Sequence, residues 1–262
     1  MKLLFISLGC DKNLVDSEEM LGMLAADGHE IVDDEDEAEV IIVNTCCFIG
    51  DAKEESVNTI LEMAEKKKAG TCKVLIVTGC MAQRYKKEIS EEIPEVDAIL
   101  GTTSYGDISK AVKEAQAGRH FEEYKSIDFL PDISGKRMLT TGGHFAYLKI
   151  AEGCDKHCTY CIIPKVRGNY RSVPMEQLLK EAKELAEGGV KELIVIAQDI
   201  TKYGMDLPEH QRLLPELLRQ LCKLDFTWIR LHYLYPDQIT DELVDVIANE
   251  PKIVKYLDIP IQ

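Results

Sequence analysis

The amino-terminal part of the chain alternates short runs of β-branched and other apolar residues with longer segments in which apolar residues recur at helical spacing. Short apolar runs of this kind predict buried strands, and the longer amphipathic segments predict helices. The predicted strands are 3–7, 40–43, 74–78 and 98–100, and the predicted helices are 13–27, 52–69, 83–93 and 105–117. This alternation predicts a small doubly wound α/β domain with a parallel sheet.

A second alternating series follows a stretch in which the periodicity is lost. Residues 118–143 contain Pro131, Gly135, Gly142 and Gly143, which is typical of a linker. Beyond this stretch, strands are predicted at 145–151, 192–197, 228–231 and 254–259, and helices at 175–187, 213–223 and 240–249.

We therefore predict an amino-terminal domain at 1–118, a linker at 119–143 and a β/α barrel domain at 144–262. Four predicted barrel strands precede Gln262, whereas about eight are needed to close a barrel of this type. We expect a partial barrel and a truncated chain.

Composition and charge argue against some classes of function. The chain has 262 residues, 45% of them hydrophobic, and a net charge of −15, with 24 acidic against 12 basic residues in 1–118 and 22 against 19 in 119–262. An acidic first half repels phosphate backbones, which argues against nucleic acid as its direct partner, although it is equally compatible with a solvated acidic surface. The first twenty residues fit neither a signal peptide nor a membrane span, and nine cysteines suit a reducing compartment, so we expect a cytoplasmic protein.

Cys154, Cys158 and Cys161 follow the first predicted barrel strand with the spacing CxxxCxxC. Three thiolates on one loop can hold a [4Fe–4S] cluster and leave the fourth iron open to a ligand such as S-adenosylmethionine (SAM). Structural zinc is the alternative, but it needs a fourth ligand. His157 is the candidate nearby, and its place directly beside Cys158 makes a shared tetrahedral site awkward.

This loop resembles the signature of radical SAM enzymes, which has an aromatic residue just before its last cysteine, as Tyr160 stands here. The resemblance implies a cluster that reduces SAM to methionine and a 5′-deoxyadenosyl radical. Tyr160, Arg171 and Gln198 are candidate SAM contacts, because they lie on the loop or at strand ends around the barrel mouth. Tyr160 could instead simply pack, Arg171 could cap a helix or pair with Glu176, and Gln198 could bond to the backbone.

Cys10, Cys46 and Cys80 form a second candidate set, because each follows a predicted strand. The carboxyl ends of parallel strands meet at one edge of the sheet, where α/β folds bind ligands. Gly9 and Gly79 precede two of these cysteines and would allow tight turns around an inorganic centre.

The remaining cysteines compete less well for a ligand role. Cys47 is adjacent to Cys46, but successive side chains of extended backbone point in opposite directions, so we expect one of the two to reach the site. Cys72 precedes its strand and Cys222 lies in a predicted helix, and both are interpreted as small buried hydrophobes.

Asn44-Thr45-Cys46 and Thr78-Gly79-Cys80, together with the downstream radical SAM loop, resemble the methylthiotransferases across essentially the whole chain. The resemblance favours Cys46 over Cys47. It implies a second [4Fe–4S] cluster on Cys10, Cys46 and Cys80 whose open iron carries the sulfur to be donated. One SAM would methylate that sulfur, and a second would supply the radical that takes hydrogen from the substrate.

Local sequence separates the branches of this family. The run from Gly9 to Glu18, the run from Cys161 to Pro164 with Arg167-Gly168, Gln198-Asp199 with Tyr203-Gly204, and the run from Tyr233 to Pro236 are similar to the branch that modifies an aspartate of a small-subunit ribosomal protein. An acidic first half suits such a basic substrate better than an RNA. The alternatives are a tRNA adenosine methylthiotransferase and a non-catalytic metal-binding module.

The resemblance also fixes what the chain would need. No acid–base pair is required, so we expect no catalytic residues beyond the cluster ligands. An electron donor and a sulfur donor would be further partners, of unknown identity. Relatives continue with more barrel and a carboxyl-terminal TRAM domain, so we expect a fragment that holds both clusters but turns over little.

Overall fold

The computed structural model describes residues 1–131, 137–208 and 210–260. These divide into two compact units. The first unit comprises Met1–Met138 and His157–Arg167, and the second comprises Leu139–Lys156 and the residues from Gly168 onward. The domain boundaries inferred from the sequence stay a prediction, and of the glycines used to infer the linker, Gly135 lies outside the described residues.

The described part of the first unit contains a six-stranded sheet in which every pair of neighbours is parallel. Its strands are β1 (Lys2–Ser7), β2 (Glu30–Ile31), β3 (Val40–Thr45), β4 (Val74–Gly79), β5 (Ala98–Leu100) and β6 (Phe121–Glu123). Its helices are α1 (Asp11–Ala26), α2 (Gly50–Lys68), α3 (Cys80–Arg84), α4 (Lys86–Glu92), α5 (Ile108–Gln116) and α6 (Ile163–Arg167).

Alternate residues of each strand face opposite sides of this sheet, and both faces are buried because helices cover both sides. One face packs Ile41, Val43, Leu75 and Val77 against Ile60 and Met63 of α2. The other packs Val40, Ile42, Val74 and Ile76 with Met20 of α1 and with Ile108 and Val112 of α5. Burial on two faces is why β3 and β4 are continuous apolar runs. The predicted doubly wound α/β class is confirmed.

The strand order β2-β1-β3-β4-β5-β6 changes direction between β1 and β3. At such a switch point the loops after the two strands leave towards opposite faces, and a crevice opens at their carboxyl ends. Ser7 pairs with Asn44, and Thr45 pairs with Gly79. The loops that carry the amino-terminal candidate cysteines therefore start at nearly the same level of the sheet.

The sequence pattern missed or misplaced several short elements of the first unit. The strands β2 and β6 were not predicted, and β6 occupies residues assigned to the linker. The predicted helix at 83–93 is two helices, because Tyr85 leaves the helical conformation with φ −116° and ψ 33°.

The second unit contains a four-stranded parallel sheet of order β12-β11-β10-β7. Its strands are β7 (Phe145–Lys149), β10 (Glu192–Ile196), β11 (Trp228–Leu231) and β12 (Ile253–Leu257), and its helices are α7 (Met175–Glu187), α8 (Leu214–Leu221) and α9 (Asp241–Asn249). Two short strands, β8 (Ala151–Glu152) and β9 (Arg171–Ser172), form a separate antiparallel pair, and β8 is the next strand after β7 in the chain. Neighbouring strands joined by helices are the arrangement of a β/α barrel segment.

The strand predicted at 145–151 is shorter in the structure. It ends at Lys149, and the chain then continues into β8, so that Cys154 follows β8 rather than the strand of the four-stranded sheet.

In the described residues, no helix combines the length and the apolar character needed to cross a bilayer.

Candidate functional site

The amino-terminal candidate cysteines all lie at the carboxyl edge of the first sheet. Cys10 is the residue before α1, Cys46 directly follows β3, and Cys80 is the first residue of α3, directly after β4. Because β1 and β3 flank the switch point, Cys10 and Cys46 leave the sheet on either side of the crevice. The sequence predicted this common edge from strand positions alone.

The neighbours of Gly9 show which of the adjacent residues Cys46 and Cys47 faces the turn that carries Cys10. Gly9 has φ +93°, and a Cβ atom at this position would lie 2.8 Å from Cys46 Cβ and 3.0 Å from Cys46 Sγ. The Cys46 side chain therefore faces the turn that carries Cys10. Cys47 is fully buried in the hydrophobic cluster on the α2 side, and its Sγ donates to the Cys80 carbonyl oxygen at 3.3 Å. This placement supports the choice of Cys46 as the ligand.

Gly79 has a steric role of its own. It adopts φ +93° and ψ −161°, a conformation that is essentially restricted to glycine. A Cβ atom here would lie 2.5 Å from the Thr45 carbonyl oxygen and 2.8 Å from the Thr45 nitrogen. Gly79 thus lets the start of α3 approach β3 closely, which fixes the position of Cys80 next to that of Cys46.

A polar network at the switch point holds the loops together. The Asn13 side-chain amide donates to the carbonyl oxygens of Leu8 at 2.8 Å and Thr45 at 3.0 Å. The Asn44 amide donates to the Asn13 carbonyl oxygen at 3.0 Å and to Ser17 Oγ at 2.9 Å. Because these side chains are buried and hydrogen-bonded, they define the positions of the loops after β1 and β3.

Arg167 adds a buried cation to this network. Only 2% of its side chain is exposed, and its Nη1 lies 2.7 Å from Asp16 Oδ2. Another terminal nitrogen donates to Asn13 Oδ1, and Nε lies 3.4 Å from Cys80 Sγ. Sequence reasoning gave Arg167 no role at this site. The available signal was its place in the run Arg167-Gly168 that resembles the family.

The thiols fit a metal-ligand role chemically. Burial raises the pKa of Cys46, and it raises the pKa of Cys80 to about 12, with Arg167 acting in the opposite direction. A thiolate at either position therefore needs a strongly positive partner, which iron provides when it replaces the proton.

The described residues contain no group of three or more His, Cys, Asp or Glu side chains arranged to hold a single metal ion. A cubane cluster spaces its thiolates more widely than one ion does, because each binds a different iron. The donor set and the shared edge are thus compatible with a cluster.

The cysteines of the second candidate triad are assigned to different units. Cys154 belongs to the second unit, where it is buried and its N–H donates to the Gly168 carbonyl oxygen at 3.0 Å. Cys158 and Cys161 belong to the first unit, are partly exposed, and share a turn in which the Cys161 N–H donates to the Cys158 carbonyl oxygen at 2.9 Å. The CxxxCxxC spacing carries the assignment of this triad.

The candidate SAM contacts lie in different environments. Tyr160 is 69% exposed, so its ring is available for stacking. The Arg171 guanidinium donates to the Asn169 carbonyl oxygen. The Gln198 amide donates to Glu152 Oε1 at 3.0 Å. Glu152, which sequence reasoning missed, is buried and also contacts Lys149 Nζ at 3.1 Å. The three SAM contacts stay a prediction.

The two cysteines interpreted as structural differ from each other. Cys72 is 2% exposed, and its Sγ donates to the Val74 carbonyl oxygen at 3.0 Å, as expected of a small buried residue. Cys222 follows the last residue of α8 and is only partly buried. The prediction of a buried hydrophobe was therefore wrong for Cys222, which keeps a helical backbone conformation but remains partly exposed.

Two family models match the chain in succession. Residues 2–101 match the uncharacterised protein family UPF0004, and residues 148–262 match the radical SAM superfamily. Among solved structures, the radical SAM methyltransferase TsrM from Kitasatospora setae is similar with a TM-score of 0.63 at 12% identity, over 98% of this chain and 58% of TsrM. The cobalamin-dependent radical enzyme OxsB has a TM-score of 0.61 at 13% identity, over 100% of this chain and 44% of OxsB. Such distant likeness shows the shared fold.

Sequence relatives are much closer than the solved structures. The ribosomal protein uS12 methylthiotransferase RimO of Lachnoclostridium phytofermentans is 63% identical, over 100% of this chain and 60% of the relative. The protein of the same name from Clostridioides difficile is 54% identical, over 100% of this chain and 59% of the relative. The chain thus spans about 60% of the length of the relatives it matches. Both family models match in order and such relatives match along the whole length of the chain, so the chain is similar throughout to the radical SAM methylthiotransferases.

Proposed function

We propose that the chain forms the cluster-binding part of a methylthiotransferase that modifies an aspartate of ribosomal protein uS12. Cys10, Cys46 and Cys80 would hold one [4Fe–4S] cluster, and Cys154, Cys158 and Cys161 would hold another. When bound, the clusters and SAM would supply a 5′-deoxyadenosyl radical and a methylthio group. The observation that carries the proposal is the common position of Cys10, Cys46 and Cys80 at the carboxyl ends of β1, β3 and β4, three neighbouring strands of one sheet.

The chain's own residues prepare this site. The hydrogen bonds of Asn13 and Asn44 hold the loops after β1 and β3 in place. Gly79 lets Cys80 approach the end of β3. In the second unit, the partly buried Gln198 donates to the buried Glu152, which stands two residues before Cys154, and this pair can orient the polar end of SAM.

The charge of the chain supports a basic protein as the substrate. The net charge is −15, and residues 1–118 hold 24 acidic against 12 basic side chains. Complementary charge speeds encounter with a cationic partner and disfavours a polyanion such as RNA. The relatives are named for a ribosomal protein, which agrees with a protein rather than an RNA as the substrate.

Iron content tests the number of clusters. Anaerobic reconstitution of the full-length protein should give about eight irons per chain, because two cubanes contain four each. Cys10→Ala, Cys46→Ala or Cys154→Ala should each give about four. Bound zinc without cluster absorbance would contradict the proposal and favour a non-catalytic metal-binding module.

Matched cysteines provide the controls for this measurement. Cys47→Ala and Cys72→Ala remove buried thiols of the first unit that belong to neither proposed ligand set, and Cys222→Ala removes a partly buried thiol of the second unit. All three should retain about eight irons. If Cys47→Ala lost a cluster and Cys46→Ala did not, the ligand assignment would be reversed.

Substrate identity needs a separate assay. The reconstituted full-length protein, given SAM and dithionite, should release 5′-deoxyadenosine and add the mass of a methylthio group to uS12. A gain of the same group on tRNA adenosine, with none on uS12, would assign the chain to the other branch of the family.

A further inference from the structure

Arg167 is the last residue of α6 and one of the largest fully buried side chains of the first unit. Burying a guanidinium costs several kcal/mol unless its donors are matched by acceptors. The Asp16 carboxylate accepts from one terminal nitrogen at 2.7 Å, and the Asn13 side-chain oxygen accepts from another. Both acceptors belong to α1, directly after the loop that carries Cys10.

The remaining arm of the guanidinium points at a candidate cluster ligand. Arg167 Nε donates to Cys80 Sγ at 3.4 Å. The planar fork is held by Asp16 and Asn13, so the direction of Nε is fixed rather than free to rotate. A cationic donor is thus aimed at one sulfur from inside the protein.

The segment that carries Arg167 is itself anchored in the first unit. Val166 is 1% exposed and belongs to the hydrophobic cluster on the α2 side, against which Ile162 also packs. The Val166 carbonyl oxygen accepts from Thr102 Oγ1 at 2.6 Å. These contacts keep Arg167 in place independently of its own ion pair.

A hydrogen bond from a cation to a ligating sulfur changes the redox equilibrium of a cluster. One-electron reduction takes a [4Fe–4S] cluster from the 2+ to the 1+ state and adds negative charge that spreads onto its sulfurs. Hydrogen bonds to those sulfurs stabilise the added charge and raise the reduction potential. The effect is large where burial excludes water, and Cys80 is only 8% exposed.

We propose that Arg167 is a positioning residue that raises the reduction potential of the amino-terminal cluster through its hydrogen bond to the Cys80 sulfur. The inference rests on the proposed function, because it requires a [4Fe–4S] cluster on Cys10, Cys46 and Cys80. It adds a residue from outside the cysteine motifs, and it links the segment that carries Cys158 and Cys161 to the chemistry of the other cluster.

The test isolates the amino-terminal cluster by replacing Cys154, Cys158 and Cys161 with alanine in the full-length protein. Its reduction is then followed anaerobically by absorbance and electron paramagnetic resonance, with dithionite as the electron source. Arg167→Met should lower the equilibrium constant for reduction at least about tenfold, which is 59 mV for one electron. Arg167→Lys, which keeps the charge, should shift the potential less than Arg167→Met.

Arg84→Gln is the matched control. Arg84 ends the same helix that Cys80 begins, but it is exposed, and its charge acts on the Cys47 thiol, whose pKa it lowers against the effect of burial. Loss of this charge should change the potential much less than Arg167→Met. An equal shift in both variants would mean that net charge alone acts, and it would overturn the proposed role of the hydrogen bond.

A second variant guards against simple misfolding, because Arg167→Met leaves Asp16 buried without its cation. Asp16→Asn/Arg167→Met removes both charges and should still lower the potential, since the donor to sulfur is lost. About four irons per chain with an unchanged potential in this double variant would overturn the inference and leave the proposed function standing. No iron in the isolating background would instead count against the proposed function.

Discussion

Gly9 and Gly79 show at the residue scale how the candidate site depends on close backbone approach. Both have φ +93°, and in each case a Cβ atom would meet protein atoms at 2.8 Å or less. Gly9 faces the Cys46 side chain, whereas Gly79 faces the backbone of Thr45. The sequence predicted tight turns at both glycines but could not reveal these neighbours, which are distant in the chain.

Gly79→Ala should destabilise the first unit strongly. The strained backbone alone costs about 1–3 kcal/mol, and contact with the Thr45 backbone adds to this because backbone atoms cannot move aside easily. Hydrogen exchange of β3 and β4 amides measures the loss. Gly70→Ala is the control, since Gly70 has φ +85° but nothing within 4 Å of a Cβ atom. Equal effects in both variants would rule out the close approach as the cause.

The contact of Arg167 with Cys80 could not be predicted from the sequence. Cysteines can be recognised from their spacing and from their positions after apolar runs, because those signals are local. The contact between Arg167 and Cys80 joins residues 87 positions apart, and no periodicity encodes it. Strand position alone did not decide between Cys46 and Cys47; the family resemblance favoured Cys46, and the Gly9 turn supports that choice.

At the scale of elements, the long and strongly patterned segments were predictable. The strands β3 and β4 are buried on both faces and therefore read as unbroken apolar runs. The strands β2 and β6 lie at the two edges of the sheet and have two and three residues, with Glu30, Glu122 and Glu123 among them. Edge strands this short carry no alternating pattern, so only pairing with β1 and β5 defines them.

Helix α9 offers a test of an individual element. The Thr240 hydroxyl accepts from the Leu243 N–H at 3.2 Å and so caps the first turn. Thr240→Ala should destabilise the second unit by about 1 kcal/mol, because one of the free N–H groups of the first turn loses its partner. The amide of Leu243 should exchange faster with solvent.

The comparison for this variant is Thr227→Ala, which removes a hydroxyl from an exposed position of the same unit just before β11. Surface substitutions of this kind usually change stability by less than about 0.5 kcal/mol. Thr240→Ala with exchange rates no different from those of Thr227→Ala would show that the cap contributes nothing measurable.

At the scale of the whole chain, the two alternating series were predicted and the distribution of segments between the units was not. The segment 157–167, which ends in α6, follows β8 of the second unit in the chain but belongs to the first unit. Its apolar residues Ile162 and Val166 pack with the α2-side cluster, a long-range preference that no local pattern reveals. The CxxxCxxC motif is therefore continuous in sequence while its residues belong to different units.

A buried ion pair ties the end of the predicted linker to the first unit. Arg137 Nη2 lies 3.0 Å from Glu18 Oε2, and the two side chains are 5% and 0% exposed. The Met138 N–H also donates to the Glu18 carbonyl oxygen at 3.0 Å. This attachment predicts that residues 137–138 contribute to the stability of α1 rather than acting as a passive connection.

Arg137→Met should therefore destabilise the first unit by about 3–5 kcal/mol, because Glu18 would keep a buried charge without its partner. The amides of α1 should lose most of their protection from hydrogen exchange, whereas those of β10 in the second unit should change little. Glu18→Gln/Arg137→Met should recover much of the loss, since neither charge is then left buried alone. If the double variant were less stable than Arg137→Met, packing and hydrogen bonding of Glu18 would outweigh its charge.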